Sequence, residues 1–225
     1  MTQGANRARP VIVDTGDAEL EGDLTLTPGA PGIVVFAHGS GSSRRSPRNR
    51  SVAAALQQRG LATLLFDLLT PDEEIVDQRD ASIRFDIELL GRRLVGAVDW
   101  LAQNTETKHL PAGVFGASTG AAAALIAAAE RPTMVRAVVS RGGRVDLACA
   151  SLTRVVAPTL LLVGGLDDQV LELNRQTYAY LTCERRLEIV PGASHLFAEP
   201  GALERVSARA GEWFAEKLAL AAKAA

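Results

Sequence analysis

The sequence predicts an α/β protein: a mainly parallel sheet with helices on both faces and an antiparallel hairpin at one edge. Three observations carry this expectation. Short apolar runs, suited to strands buried on both sides, recur at 33–37, 62–66, 113–115, 137–139, 159–163 and 187–190. Helical patterns separate them, the alternation that βαβ units produce. Ahead of them, 11–14 and 20–26 read as two strands joined by Thr15-Gly16-Asp17, a turn suited to a hairpin.

The elements follow in order. Residues 1–10 read as a flexible N-terminus and 11–225 as a single domain, since 225 residues at 47% hydrophobic can bury one large core. Residues 28–32 close the hairpin unit. The first helix is well punctuated: Ser46 as N-cap, Pro47 at its first position and Gly60 as a left-handed cap just beyond Arg59. The segment 68–81 is the one long connection, able to serve as a partial lid but too short for a separate cap domain. The longest helix is expected after Ser82, where Ile83, Ile87, Leu90, Leu94, Val98 and Leu101 recur at three- and four-residue spacing. An alanine-rich helix occupies 121–130, and a last helix 202–222. Repeats, low-complexity segments and an interdomain linker are absent from the sequence.

Composition narrows the class of partner. The formal net charge is −2 with no basic block, so neither nucleic acid nor an anionic membrane is favoured. The longest apolar run, 121–129, is too short to span a bilayer, and residues 1–16 lack the apolar stretch of a secretory signal, so a cytoplasmic location is expected. Cys149 and Cys183 have no disulfide or zinc spacing and are expected to be buried free thiols. Oligomeric state is left open.

The chemistry centres on Gly116-Ala117-Ser118-Thr119-Gly120, a Gly-x-Ser-x-Gly motif between an apolar strand and a helix. Such a sharp turn crowds the backbone, so the flanking positions need residues without Cβ. Three fixed residues at roughly 7% usage each recur by chance in about one chain of ten or twenty this long, so the motif needs partners. A serine hydroxyl requires a base. His195, in Gly192-Ala193-Ser194-His195, follows the last strand and is the candidate; His109 precedes a strand, on the wrong edge, and His38 reads as structural, bonding its own loop. The base needs a carboxylate to orient it. Asp167 in Gly164-Gly165-Leu166-Asp167 is favoured, with Asp168 and Asp146 as alternatives. Two backbone donors for an oxyanion are expected, the N–H of Thr119 and that of Ser40 in His38-Gly39-Ser40-Gly41. No metal site is indicated.

On these four segments the chain resembles the α/β-hydrolase superfamily, and specifically a small, lidless dienelactone hydrolase-like member. The likeness runs from about residue 20 to the C-terminus. It implies an α/β-hydrolase fold with a sheet of about eight strands, no cofactor, and a triad of Ser118, Asp167 and His195 with the Ser40 and Thr119 amides as oxyanion hole. One position departs: true dienelactone hydrolases have a cysteine nucleophile where this chain has Ser118, which argues against dienelactone itself as substrate. The expected activity is cleavage of a small carboxylic ester or thioester through an acyl-enzyme. Two alternatives use the same residues: a non-catalytic interaction module of this fold, and an acyltransferase. Arginines cluster on the same edge, Arg44, Arg45, Arg48 and Arg50 after the 38–41 loop and Arg141 and Arg144 after the strand at 137. Arg44, Arg141 and Arg144 are candidates for holding an anionic group on the substrate, against the alternative of solvated surface arginines.

Overall fold

A computed structural model describes residues 8–223. The expected hairpin is present: β1 (Arg9–Asp14) pairs antiparallel with β2 (Glu19–Thr25) at the edge of the sheet. Strand β1 takes in Arg9 and Pro10, both inside the segment expected to be a flexible N-terminus; residues 1–7 of that segment lie outside the described ones. Then come β3 (Ile33–Ala37), α1 (Pro47–Gln58), β4 (Ala62–Phe66), α2 (Pro71–Asp80), α3 (Ile87–Gln103), β5 (Ala112–Ala117) and α4 (Thr119–Glu130). The chain continues through β6 (Val135–Arg141), α5 (Cys149–Leu152), β7 (Thr159–Gly164), α6 (Asp168–Tyr178), β8 (Arg185–Val190) and α7 (Ala202–Lys223). The eight strands form one sheet in the order β1-β2-β4-β3-β5-β6-β7-β8, parallel from β4 through β8.

Strand alternation splits the core into two layers. Val34, Phe36, Phe115, Val139 and Leu162 point towards α1 and α7, packing on Val52, Leu56, Val206 and Phe214. Val35, Val114, Val138 and Leu161 point the other way, onto Leu90, Leu94 and Val98 of α3 and the alanines of α4. The small side chains of α4 allow α3 to lie close: a Cβ at Gly91 would stand 2.9 Å from Ile126 Cγ2.

Three helical expectations are corrected. The stripe from Ile83 to Leu101 is not one helix. Ile83–Phe85 forms a 3₁₀ turn, and α3 starts at Ile87 because Asp86 accepts the Leu89 N–H at 2.9 Å as N-cap. It is α7, with 22 residues, that is the longest helix. The 68–81 connection contains α2, whose start is a complete capping box: Thr70 accepts the Glu73 N–H, Glu73 accepts the Thr70 N–H at 2.8 Å, and Pro71 follows the cap. Ala81, at φ 59°, ends it in the left-handed region. Helix α2 is anchored from below by Arg93 of α3, which bonds Glu73 at 2.7 Å and Asp17 of the hairpin turn at 2.9 Å. The cysteines also differ from expectation: both are free, but Cys149 is exposed at the start of α5 and Cys183 only partly buried.

Candidate active site

The order β4-β3-β5 places β3 between two strands whose connections leave in opposite directions, the place where open α/β sheets bind ligands at their carboxyl edge. The loop after β3 and the turn after β5 meet there. A Cβ at Gly120 would stand 2.3 Å from the Ala37 carbonyl oxygen and 2.5 Å from that of His38, and one at Gly116 would stand 2.4 Å from Ala121 Cα. Both glycines are therefore steric necessities of the elbow. Ser118 itself sits at φ 50°, ψ −120°, a strained conformation for a residue with a side chain. It is held by backbone bonds to the end of β6 and the loop after it, its N–H donating to the Arg141 carbonyl and its own carbonyl accepting from the Arg144 N–H.

The candidate base and acid are brought to this serine by loops on β7 and β8. Gly165 N–H donates to Val190 and Leu166 N–H to Ala193, both at 2.9 Å, so the two loops travel as one unit. A Cβ at Gly164 would lie 2.4 Å from the Ala193 carbonyl oxygen. Beyond them Phe197 turns at φ 53° with its ring in the core. His195 Nε2 stands 3.3 Å from Ser118 Oγ, and His195 Nδ1 stands 2.6 Å from Asp167 Oδ2. Asp167 is mostly buried and His195 more open, their side chains 13% and 38% exposed, so the ring faces the site entrance and the carboxylate is shielded behind it.

Of the two alternative acids, Asp168 is exposed at the first position of α6, and Asp146 is bonded by Arg144 at 2.8 and 2.9 Å. Neither touches His195. The Thr119 N–H, first amide of α4, has no acceptor within its helix. The Ser40 N–H points to the same corner and donates to Thr119 Oγ1 at 3.0 Å. His38 lies beneath as a structural residue: Nδ1 meets the Gly39 carbonyl at 3.0 Å and Nε2 accepts the Leu68 N–H at 3.1 Å. Burial pushes its pKa below the ordinary histidine value, consistent with a neutral ring bonded at both nitrogens.

The candidate arginines separate. Arg44 is engaged by Asp67 and Glu21, and Arg144 by Asp146, so both are committed to carboxylates of the chain. Arg141 is buried without such a partner. Beside the 38–43 loop, under α2, lies a cavity of about 170 Å³ with Leu68, Leu69 and Leu90 on its apolar side and Asp77 and Arg84 on its polar side. Among the described residues no group of three or more His, Cys, Asp or Glu is placed to hold a metal ion, and no helix is long and apolar enough to cross a membrane.

Some contributors were not picked out from sequence. Asn174, fully buried on α6, donates to the Gly143 carbonyl at 2.8 Å and braces the loop that passes behind Ser118 and His195. Its signal was a polar residue four positions after Val170, on the apolar face of the helix. Arg93 sits likewise among the apolar residues of α3.

A mainly parallel eight-stranded sheet with an N-terminal antiparallel hairpin, flanking helices and a serine on a strained turn after β5 defines an α/β hydrolase. The chain belongs to the dienelactone hydrolase family, whose model matches residues 22–221. It is 58% identical to a dienelactone hydrolase from Anabaena variabilis, whose crystal structure superposes with a TM-score of 0.92 and covers 94% of this chain and 98% of that one. It is also 56% identical over 212 residues to a Mycobacterium tuberculosis protein with a provisional phosphoribosyl transferase name, covering 94% of this chain but 47% of that protein. The chain thus spans about half the length of that relative. Est1E from Butyrivibrio proteoclasticus shares the fold, with TM-score 0.77 at 16% identity over 93% of this chain and 99% of the other.

Proposed function

We propose that this hydrolase cleaves small carboxylic esters or thioesters through an acyl-enzyme on Ser118, with His195 as base and Asp167 as its orienting acid. The observation that carries the reading is the line of contacts from Ser118 Oγ through the imidazole to Asp167, 3.3 and 2.6 Å long. The attack begins with Ser118 Oγ adding to the substrate carbonyl as its proton passes to His195 Nε2. The negative charge that forms on the carbonyl oxygen is taken by the Thr119 N–H and by the Ser40 N–H. The latter leaves the Thr119 hydroxyl, since an oxyanion is the stronger acceptor. His195 returns the proton to the departing alcohol or thiol. Water then enters, His195 accepts its proton, and the acyl group leaves as the free acid, with Ser118 restored.

The phosphoribosyl transferase name belongs to a protein about twice as long, and displacement of pyrophosphate at a ribose carbon has no use for a serine and base so arranged. Transfer of the acyl group to an acceptor other than water needs the same residues and differs only in what enters after acylation. The two free cysteines, one of them exposed, support a reducing, cytoplasmic setting. The test is hydrolysis of 4-nitrophenyl esters of several acyl lengths by wild type and Ser118→Ala. Turnover of short esters, lost on removal of the hydroxyl, is the expected result; equal rates for the two proteins would place the chemistry elsewhere.

A further inference from the structure

Among the described residues two arginines are buried. Arg93, 3% exposed, is bonded by both Asp17 and Glu73. Arg141 has no such partner. It is the last residue of β6, in register with Ala117, and follows Ala137 and Val139 onto the face covered by α1 and α7. It is 7% exposed, and its Nε and Nη1 are buried without a partner. The like charge of Arg48 bears on it, and no carboxylate does; burial first, and Arg48 second, pull its pKa down to about 10.

Arg48 adds to the imbalance. It lies in the first turn of α1, its Nε is also buried and unpartnered, and that turn contains no acidic residue, whereas the first turn of α2 contains three. A cation at a helix N-terminus opposes the helix dipole, so two arginines and the positive end of α1 converge with nothing to offset them. The nearby acids are engaged elsewhere: Asp67 and Glu21 with Arg44, Asp23 with Arg44 and Arg50, Asp146 with Arg144. Glu199, the one acid between 191 and 200, has one carboxylate oxygen buried without a partner, yet only burial and Arg48 bear on Arg141, so it does not offset the arginine. An uncompensated buried guanidinium is costly enough that a ligand is the economical explanation.

We propose that Arg48 and Arg141 form a subsite for an oxyanion, a carboxylate or a phosphate, beside the Ser118–His195 pair. The Arg141 carbonyl accepts the Ser118 N–H at 3.2 Å, and a Cβ on the next residue, Gly142, would stand 3.4 Å from His195 Nδ1, so the Arg141 backbone adjoins both members of the pair. Planar guanidinium groups bind such anions through paired N–H donors. The occupant closest to hand is an acidic tail on the acyl part of the substrate; a free inorganic anion has the same chemistry. In assigning the tail to a reacting ester, the proposal rests on the hydrolase reading.

The test compares 4-nitrophenyl hydrogen glutarate with the neutral 4-nitrophenyl valerate in wild type, Arg141→Gln, Arg141→Lys and Arg48→Gln. The acidic-to-neutral ratio of kcat/KM is expected to fall roughly 10- to 100-fold in Arg141→Gln, mainly through KM, with smaller falls in the other two. Inorganic phosphate is expected to compete with the acidic ester and to raise the Tm of wild type more than that of Arg48→Gln. A phosphate-dependent Tm rise without preference for the acidic ester would support a free anion as occupant. Ratios unchanged in every variant, together with no phosphate effect on Tm, would overturn the subsite. If wild type cleaves neither ester, the hydrolase reading fails by itself, and the phosphate dependence of Tm still decides the subsite. Arg48→Gln, on a partly exposed helix turn, keeps the test available if Arg141→Gln does not fold.

Discussion

Ser118 and Asp167 are both N-cap residues, of α4 and α6, and neither side chain caps its helix. Serine and aspartate at that position ordinarily accept an amide of the first turn. Here both turn away and meet the same imidazole, one at each nitrogen. The helix starts fix the backbone, and the bonds they leave unmade free the side chains for His195.

From this arrangement, Asp167→Asn is expected to lower kcat by about 10³- to 10⁴-fold with little change in KM, because an amide favours the wrong imidazole tautomer. Asp146→Asn, at a side chain bonded by Arg144 and not by His195, is expected to change kcat by no more than a few fold. Steady-state kinetics on one ester checks both. Equal effects at the two positions would remove Asp167 from its role.

The strain at Ser118 predicts a difference in stability. Alanine and serine share the cost of φ 50°, ψ −120°, about 1–3 kcal/mol, whereas glycine escapes it and gives back about 0.5–1 kcal/mol of backbone entropy. Ser118→Gly should therefore be more stable than Ser118→Ala by about 1 kcal/mol, both inactive. Denaturant unfolding of the pair measures it, and a less stable glycine variant would count against strain at the elbow.

Helix α2 depends on Arg93. Removing its guanidinium leaves Glu73 and Asp17, both partly exposed, without a shared partner, at a cost of about 1–3 kcal/mol. Arg93→Gln should lower Tm and open 71–80 to limited proteolysis. An unchanged Tm and digestion pattern would show that α2 is held by other contacts.

His38 gives the fold a pH dependence of known sign. Its pKa is lowered in the folded chain, first by burial, so above the unfolded value of about 6.5 both states are neutral and its contribution is fully present. As pH falls below that value the unfolded chain binds a proton the folded one refuses, and stability drops by up to about 1.4 kcal/mol per pH unit until the folded pKa is reached. Replacing His38 by Gln should flatten the fall in Tm between pH 7 and 5. Parallel profiles for the two proteins would contradict a buried neutral ring.

The apolar runs and the glycine spacing made the sheet and the elbow legible in the sequence, because both depend on local patterns: strands buried on two faces, and backbone too crowded for a Cβ. Helix α2 was legible as well, in Thr70-Pro71-Asp72-Glu73, but a mostly polar segment reads as a connection unless its capping box is noticed. The break before α3 was hidden by apolar spacing that continues through Ile83 and Ile87, while the deciding residue was the N-cap Asp86. Sequence order alone left Asp167, Asp168 and Asp146 open; the three-dimensional packing of the β7 and β8 loops puts only Asp167 against His195. The roles of the arginines depend on which carboxylates lie near them in space, and no local pattern reports that.

A Ser118 hydroxyl activated by His195 reacts covalently with an electrophilic phosphonate. Intact-mass analysis of the folded protein after reaction with a fluorophosphonate probe measures this. One adduct per chain, mapping to Ser118 and absent from Ser118→Ala, is the predicted result. A folded wild type that takes no label, or a label that persists in Ser118→Ala, would contradict it.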